Sequence, residues 1–236
     1  MTQKILGTDC VNYQAIRKSM SGGMHNGAYY YSREIEDNII PLVKTNRPWD
    51  TLGMKGVGSY DRAVVFIHHC LDWDRVYKWL ERYQDLVLVV STYPSLEWAK
   101  SKGYKAIFLP LSIDVEYVKQ FRTKKTKDAC YAGNRWAFKR EQEDQHIPDG
   151  VDFQPANLER EDLLKFMAPY RKCYAIGRCA LEAMVLGCKI MPFLMDRYPD
   201  PKYWKILDNR DAAKILQREL DKIDGITRSE EHLPRR

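Results

Sequence analysis

The sequence predicts an α/β protein with parallel sheets, because short apolar strands alternate with amphipathic helices along its 236 residues. The stretch "DLVLVVST" (85–92) is continuously apolar, which is typical of a strand that is buried on both faces of a parallel sheet. The helix predicted over 95–102 is followed by Gly103, a residue that commonly ends helices. The alternation begins again after residue 128, so we expect two small Rossmann-like lobes with a cleft between them.

The elements divide the chain into four parts. The first lobe covers 1–121, with predicted strands at 4–9, 62–69, 85–92 and 106–111 and helices at 28–43, 74–83 and 95–102. The basic stretch "RTKKTKD" (122–128) is interpreted as a linker, with a phosphate-contacting surface as the alternative. The second lobe covers 129–224, with strands at 129–133, 151–156 and 188–193 and helices at 161–170, 178–187 and 211–223. The polar segment 225–236 is predicted to be a disordered tail.

Composition narrows the class of protein only moderately. A formal net charge of +6 favours an anionic partner, and nucleic acid, acidic glycans, nucleotide phosphates and a membrane surface fit it equally. No apolar run approaches the roughly 18 residues of a membrane span. The 6 cysteines are scattered without a C-x-x-C pair, which favours reduced thiols in a cytoplasmic protein and argues against a zinc site.

The segment "YAIGRCALEAMVLGCKIM" (174–191) contains the strongest candidate site. In an open parallel sheet, ligands bind where strands end and helices begin, and a helix N-terminus attracts phosphate through its free backbone amides. Gly177 would let a phosphate approach the backbone closely, and Arg178 could add a charge-assisted contact. Glu182 lies one turn further along the same helix face, where a carboxylate can accept hydrogen bonds from ribose hydroxyls. The combination predicts a nucleotide sugar as ligand.

The part "GRCALEAMVLGCKIM" resembles the donor-binding segment of GT-B glycosyltransferases, enzymes that contain two Rossmann domains and use nucleotide sugars. Retaining members often carry a glutamate, seven further residues and a second glutamate, before a short helix that ends in glycine. Glu182 matches the second glutamate, and Gly187 matches the glycine. Tyr174 occupies the position of the first glutamate, which in the family contacts the donor sugar.

Further segments resemble the family in the same order along the chain. "ACYAGNRWAFKR" (129–140) is similar to the first strand and loop of the donor lobe, which implies that Arg135 and Lys139, or Arg140 in another register, neutralise the pyrophosphate. The similarity extends over about residues 4–195, although the chain is much shorter than a typical member of the family.

The first lobe supplies the remaining candidates. "SGGMHNGAYY" (21–30) resembles the glycine-rich loop after the first strand, where Gly22 and Gly23 would allow close approach of phosphate or acceptor. "VVFIHH" (64–69) resembles a strand that ends in histidine at the cleft. His68, His69 and His25 are therefore candidates for a general base or an acceptor-binding group.

The resemblance implies a metal-independent hexosyltransferase that moves a sugar from a nucleotide diphosphate sugar, with UDP-linked sugars as the first choice. Arginine, lysine and a helix N-terminus would replace the metal ion, and the donor is a substrate rather than a cofactor. The acceptor could be a glycan precursor or a modified DNA base, as in phage DNA modification. The alternative is a non-catalytic Rossmann module that binds a nucleotide or nucleic acid.

Overall fold

The structure is a computed structural model that describes residues 5–6, 34–47, 49–51, 62–67, 80–81, 83–133, 147–155, 158–191 and 205–226. The described strands are, in chain order, β1 (Ile5–Leu6), β2 (Trp49–Thr51), β3 (Arg62–Ile67), β4 (Asp85–Val90), β5 (Lys105–Phe108), β6 (Lys127–Tyr131), β7 (Asp152–Phe153), β8 (Tyr170–Tyr174) and β9 (Lys189–Met191). The described α-helices are α1 (Tyr93–Ser101), α2 (Val115–Lys119), α3 (Arg160–Met167), α4 (Gly177–Val185) and α5 (Asn209–Asp224). Each strand pair among them is parallel, which confirms an α/β protein with parallel sheets.

The chain forms two compact units. Unit 1 contains the described residues up to 110 together with 209–226, and unit 2 contains the described residues between 111 and 208. The sheet of unit 1 has five strands in the order β1-β2-β3-β4-β5. Residues 86–90 of β4 are all buried, as its continuous apolar sequence predicts.

Helix α1 confirms the predicted helix that ends before Gly103. The Thr92 side chain caps its N-terminus by accepting a hydrogen bond from the Ser95 amide. Gly103 has a φ of 78°, the left-handed conformation that ends many helices. By contrast, the described part of the predicted helix over 28–43 is a π-helical turn (Ile35–Ile39) followed by a 3₁₀ turn (Ile40–Leu42). Pro41 cannot donate the amide hydrogen bond that a continuing helix needs.

Unit 2 has a four-stranded sheet in the order β7-β6-β8-β9. Cys130 on β6 and Cys173 on β8 are register partners, and their fully buried sulfur atoms lie 3.7 Å apart. They belong to the apolar core that the sheet shares with α3 and α4, where Leu164 and Ala180 are also buried. Four cysteines of the described residues are free thiols: Cys130, Cys173, Cys179 and Cys188.

Helix α5 belongs to unit 1, although the sequence analysis assigned 129–224 to the second lobe. The Arg47 guanidinium, which is buried, forms an ion pair with Asp224 at 2.7 Å and with Asp85 at 3.0 Å. At the start of α5, the side-chain amide of Asn209 donates a 2.9 Å hydrogen bond to the carboxylate of Glu34. Both ends of α5 are therefore tied to unit 1 by buried polar contacts. No local pattern in α5 predicts this packing.

The basic stretch 122–128, interpreted from the sequence as a linker, lies inside unit 2. Arg122 Nε donates to the carbonyl of Val185, the last residue of α4, at 2.6 Å. Lys125 Nζ donates to the carbonyl of Ala168, which follows α3, at 2.8 Å. Strand β6 then begins at Lys127. Helix C-termini favour nearby cations. Arg122 and Lys125 therefore stabilise the ends of α4 and α3.

The ion pairs of Arg47 predict a large effect on stability. We expect Arg47→Met to lower the free energy of unfolding by about 3 kcal/mol, because it leaves the Asp224 carboxylate buried without its guanidinium. Urea unfolding followed by circular dichroism measures this change. The double variant Arg47→Met/Asp224→Leu should recover most of the loss.

Lys105→Met is the matched control for this prediction, because Lys105 contacts the same Asp85 from an exposed position at 3.0 Å. Its expected cost is below about 1 kcal/mol. Equal losses in the two single variants would contradict a special role for the buried pair.

Candidate functional site

The strand order of unit 2 creates a topological switch point between β6 and β8. The chain passes from β6 to β7 on one side, and then crosses back to β8 on the other side. Open parallel sheets bind ligands outside the carboxyl ends of the strands at such a point. Just beyond β6, the Ala132 amide still donates to the Tyr174 carbonyl at 3.0 Å, whereas the Gly133 amide donates to the Gln154 side chain near β7. The two strands therefore separate at Gly133.

Helix α4 begins at this edge of the sheet with an uncapped first turn. Its N-cap residue is Ile176, which makes no side-chain capping hydrogen bond. In the same structure, Thr92 caps α1 and Asp114 caps α2. An apolar residue is a poor N-cap, so the first turn of α4 has no side-chain cap from Ile176. An anion is the ligand that this geometry favours.

Gly177 is required by the backbone at the start of α4. Its φ is 57°, a left-handed conformation that side chains with a Cβ atom adopt only at an energetic cost. A Cβ atom built there would meet only Leu111, at 4.0 Å, so the conformation rather than crowding selects glycine. The predicted glycine at the helix start is thus explained by the turn from strand into helix.

Glu182 and Arg178 form a buried ion pair within α4. Arg178 Nε donates to Glu182 Oε1 at 3.0 Å, and the side chains are 5% and 2% exposed. The sequence analysis correctly placed the two residues on one helix face. In this arrangement, however, the Arg178 side chain lies along the helix toward Glu182, so its predicted phosphate contact stays a prediction.

Arg160 is a third member of this cluster, and the sequence analysis missed it. Its Nε donates to the same Glu182 oxygen at 3.0 Å, and its guanidinium lies 5.0 Å from the ring centroid of Tyr117. Arg160 is the first residue of α3, and Tyr117 belongs to α2. The contact joins residues 22 positions apart, and the charged sequence "ERED" around Arg160 is typical of a solvated helix start. Nothing local in the sequence indicates the contact.

Tyr174 is the last residue of β8 and is buried. It is the register partner of Tyr131, and both pack in an apolar cluster that includes Phe153. The position that the family resemblance assigns to a sugar-contacting glutamate therefore carries an aromatic side chain of the core.

The structure brings Gly177, Arg178 and Glu182 together on α4, directly after Tyr174 on β8. The other predicted site residues lie outside the described residues, so their roles stay predictions: His25, His68, His69, Gly22, Gly23, Arg135 and Lys139 (or Arg140).

No group of three or more histidine, cysteine, aspartate or glutamate residues among the described residues is arranged to hold a metal ion. None of the described helices has the length and apolar character needed to cross a membrane. The predicted metal independence stays a prediction.

Comparison with known proteins does not assign the chain to a family. No protein-family model matches the sequence, and no curated protein matches it.

The buried cluster predicts that Glu182 is needed for stability. We expect Glu182→Gln to lower the free energy of unfolding by about 3 kcal/mol, because two guanidinium groups lose the carboxylate that they share. Urea denaturation measures the loss.

Glu161→Gln is the matched control, since Glu161 forms an i,i+4 pair with Lys165 in the same unit, but both side chains are more than half exposed. Its expected cost is below about 0.5 kcal/mol. If the two substitutions cost the same, the cluster around Glu182 contributes no more than a surface pair.

Proposed function

We propose that this protein is a nucleotide-sugar-dependent glycosyltransferase of GT-B type, and that the donor diphosphate binds at the N-terminus of α4. The observation that carries the proposal is the switch point of unit 2, where β8 leads through Gly177 into a helix whose N-cap is an isoleucine. Parallel-sheet proteins bind nucleotide phosphates at this kind of position. The resemblance of residues 174–191 to a donor-binding segment favours a nucleotide that carries a sugar.

The first turn of α4 would stabilise the leaving group. In the transfer, the bond between the sugar carbon and the diphosphate oxygen breaks, and its electron pair stays on the diphosphate. The acceptor hydroxyl forms the new bond to the sugar and gives its proton to a base, for which His25, His68 and His69 are the candidates. Backbone amides and the positive end of the helix dipole lower the energy of the developing charge.

Glu182 has a different role in this proposal from the one the sequence predicts. A buried carboxylate whose Oε1 accepts hydrogen bonds from Arg160 and Arg178 is a positioning group for the helix start. We therefore assign it to the support of α4 instead of to ribose binding. Retention of anomeric configuration, UDP as the nucleotide, and a cytoplasmic location remain expectations.

A non-catalytic nucleotide-binding module is the second candidate. Tyr174 favours this function. It is buried in an apolar cluster, and GT-B glycosyltransferases often carry a glutamate at the corresponding sequence position. The two functions share the phosphate site and differ in turnover. Release of a nucleoside diphosphate from a nucleotide sugar, with or without an acceptor, separates them.

The proposal predicts a ligand-dependent increase in melting temperature. Nucleoside diphosphates or nucleotide sugars at about 100 times the dissociation constant should stabilise the protein by about 2.7 kcal/mol. In the variant Gly177→Ala, the same increase in melting temperature should need at least about 10-fold more ligand, because the substitution disturbs the amides of the first turn. Differential scanning fluorimetry across a panel of nucleotides measures both.

Gly187→Ala is the matched control, because Gly187 follows the opposite end of the same helix with a φ of 85°. It imposes a similar backbone strain, yet it should leave the ligand-dependent shift unchanged. The proposal fails if no nucleotide shifts the wild-type melting temperature, or if both glycine variants lose the shift equally.

A further inference from the structure

The amino ends of the unit 2 strands carry several exposed basic side chains. Lys127 is the first residue of β6, and Lys189 is the first residue of β9. Lys172 on β8 is the register partner of Lys189, so the two side chains leave the same face of the sheet next to each other. The side chains of Lys127 and Lys172 are 54% and 42% exposed.

The stretch before β6 adds to these lysines. The amides of Thr126 and Lys127 both donate to the carbonyl of Pro169, at 2.9 and 3.0 Å, which holds the stretch beside the start of β8. Lys124 is exposed there. We call the set of Lys124, Lys127, Lys172 and Lys189 the basic surface.

In the part of the chain that the structure describes, two carboxylates contact the basic surface. Asp128 lies 3.3 Å from Lys172, and Asp152 lies 3.8 Å from Lys127. Burial and a 2.6 Å hydrogen bond to Asp152 raise the pKa of the Tyr170 hydroxyl above its usual range, so this group stays neutral. Among the described residues, four cations face these two carboxylates, and the excess attracts a polyanion.

We propose that the basic surface binds the phosphate backbone of nucleic acid. The large exposed apolar side chains of the described residues are Tyr93, Ile206 and Ile226, and none of them belongs to this surface. It therefore offers nothing to insert into a bilayer or to stack on bases. Lys127, Lys172 and Lys189 lie on three neighbouring strands and on one face of the sheet, where they can contact several phosphates of one backbone.

This surface is separate from the proposed nucleotide site. It extends from the amino edge of the unit 2 sheet to Lys172 in the middle of β8, whereas α4 begins beyond the carboxyl edge. Lys172 lies about 7 Å before the end of β8 at Tyr174, and Lys127 is level with Tyr170, about 13 Å before that end. The basic surface would hold a nucleic acid to the protein without presenting it to the transfer site. The inference therefore does not depend on glycosyl transfer.

The test measures binding of fluorescein-labelled duplex DNA by anisotropy between about 50 and about 200 mM salt. The variant Lys124→Gln/Lys172→Gln/Lys189→Gln removes three charges and leaves Lys127, which contacts the Tyr170 hydroxyl, in place. We expect its affinity at low salt to fall at least about 10-fold. The slope of the logarithm of the binding constant against the logarithm of the salt concentration should become less steep by about 0.9 for each phosphate contact that is lost. Duplexes of different sequence should bind equally well.

The control variant Lys100→Gln/Lys119→Gln/Lys205→Gln removes three exposed lysines elsewhere and should bind like the wild type. Circular dichroism establishes that both variants are folded. The proposal is overturned if the wild type does not bind DNA at low salt, or if the control loses as much affinity as the test variant. Binding to phosphatidylserine-containing vesicles without binding to DNA would overturn it too, in favour of a membrane surface.

Discussion

The buried carboxylate of Glu182 determines how the helices of unit 2 meet. It joins α4 to α3 through Arg160, and the same arginine lies over the Tyr117 ring of α2. Removing ions from water is costly, and the cost is offset only where charges and hydrogen bonds match closely. Such a cluster favours one packing of the three helices over others. The start of α4 is therefore fixed by contacts that do not involve a ligand.

A fixed helix start is useful in a binding site, because a preorganised site loses less conformational freedom when the ligand arrives. Thr92 and Asp114 cap the N-termini of α1 and α2, whereas α3 and α4 begin after Glu159 and Ile176 without a side-chain cap. An uncapped helix start is therefore not by itself a ligand site. At α4, the strand order and the uncapped first turn coincide, and the argument for a phosphate rests on that coincidence.

The sequence predicted those parts of the fold that depend on local pattern. The apolar run of β4, the end of α1 at Gly103 and the position of Glu182 one turn after Arg178 follow from periodicity and from glycine conformation. Contacts between distant segments were not predictable in this way. The ERED sequence around Arg160 is typical of a solvated helix start, and α5 has the same amphipathic pattern whichever unit it covers. The sequence predicted a candidate site at the start of α4, but not the contact of Arg160 with Glu182 that supports this helix.

The packing of α5 on unit 1 has a consequence for the order of synthesis. The described residues of unit 2 between 111 and 208 emerge from the ribosome before α5 exists. Unit 2 can thus reach its native contacts while the chain is still growing. Unit 1 cannot, because Arg47 must wait for Asp224, a partner 177 residues further along. The unit whose strands come first in the chain is the one that finishes folding last.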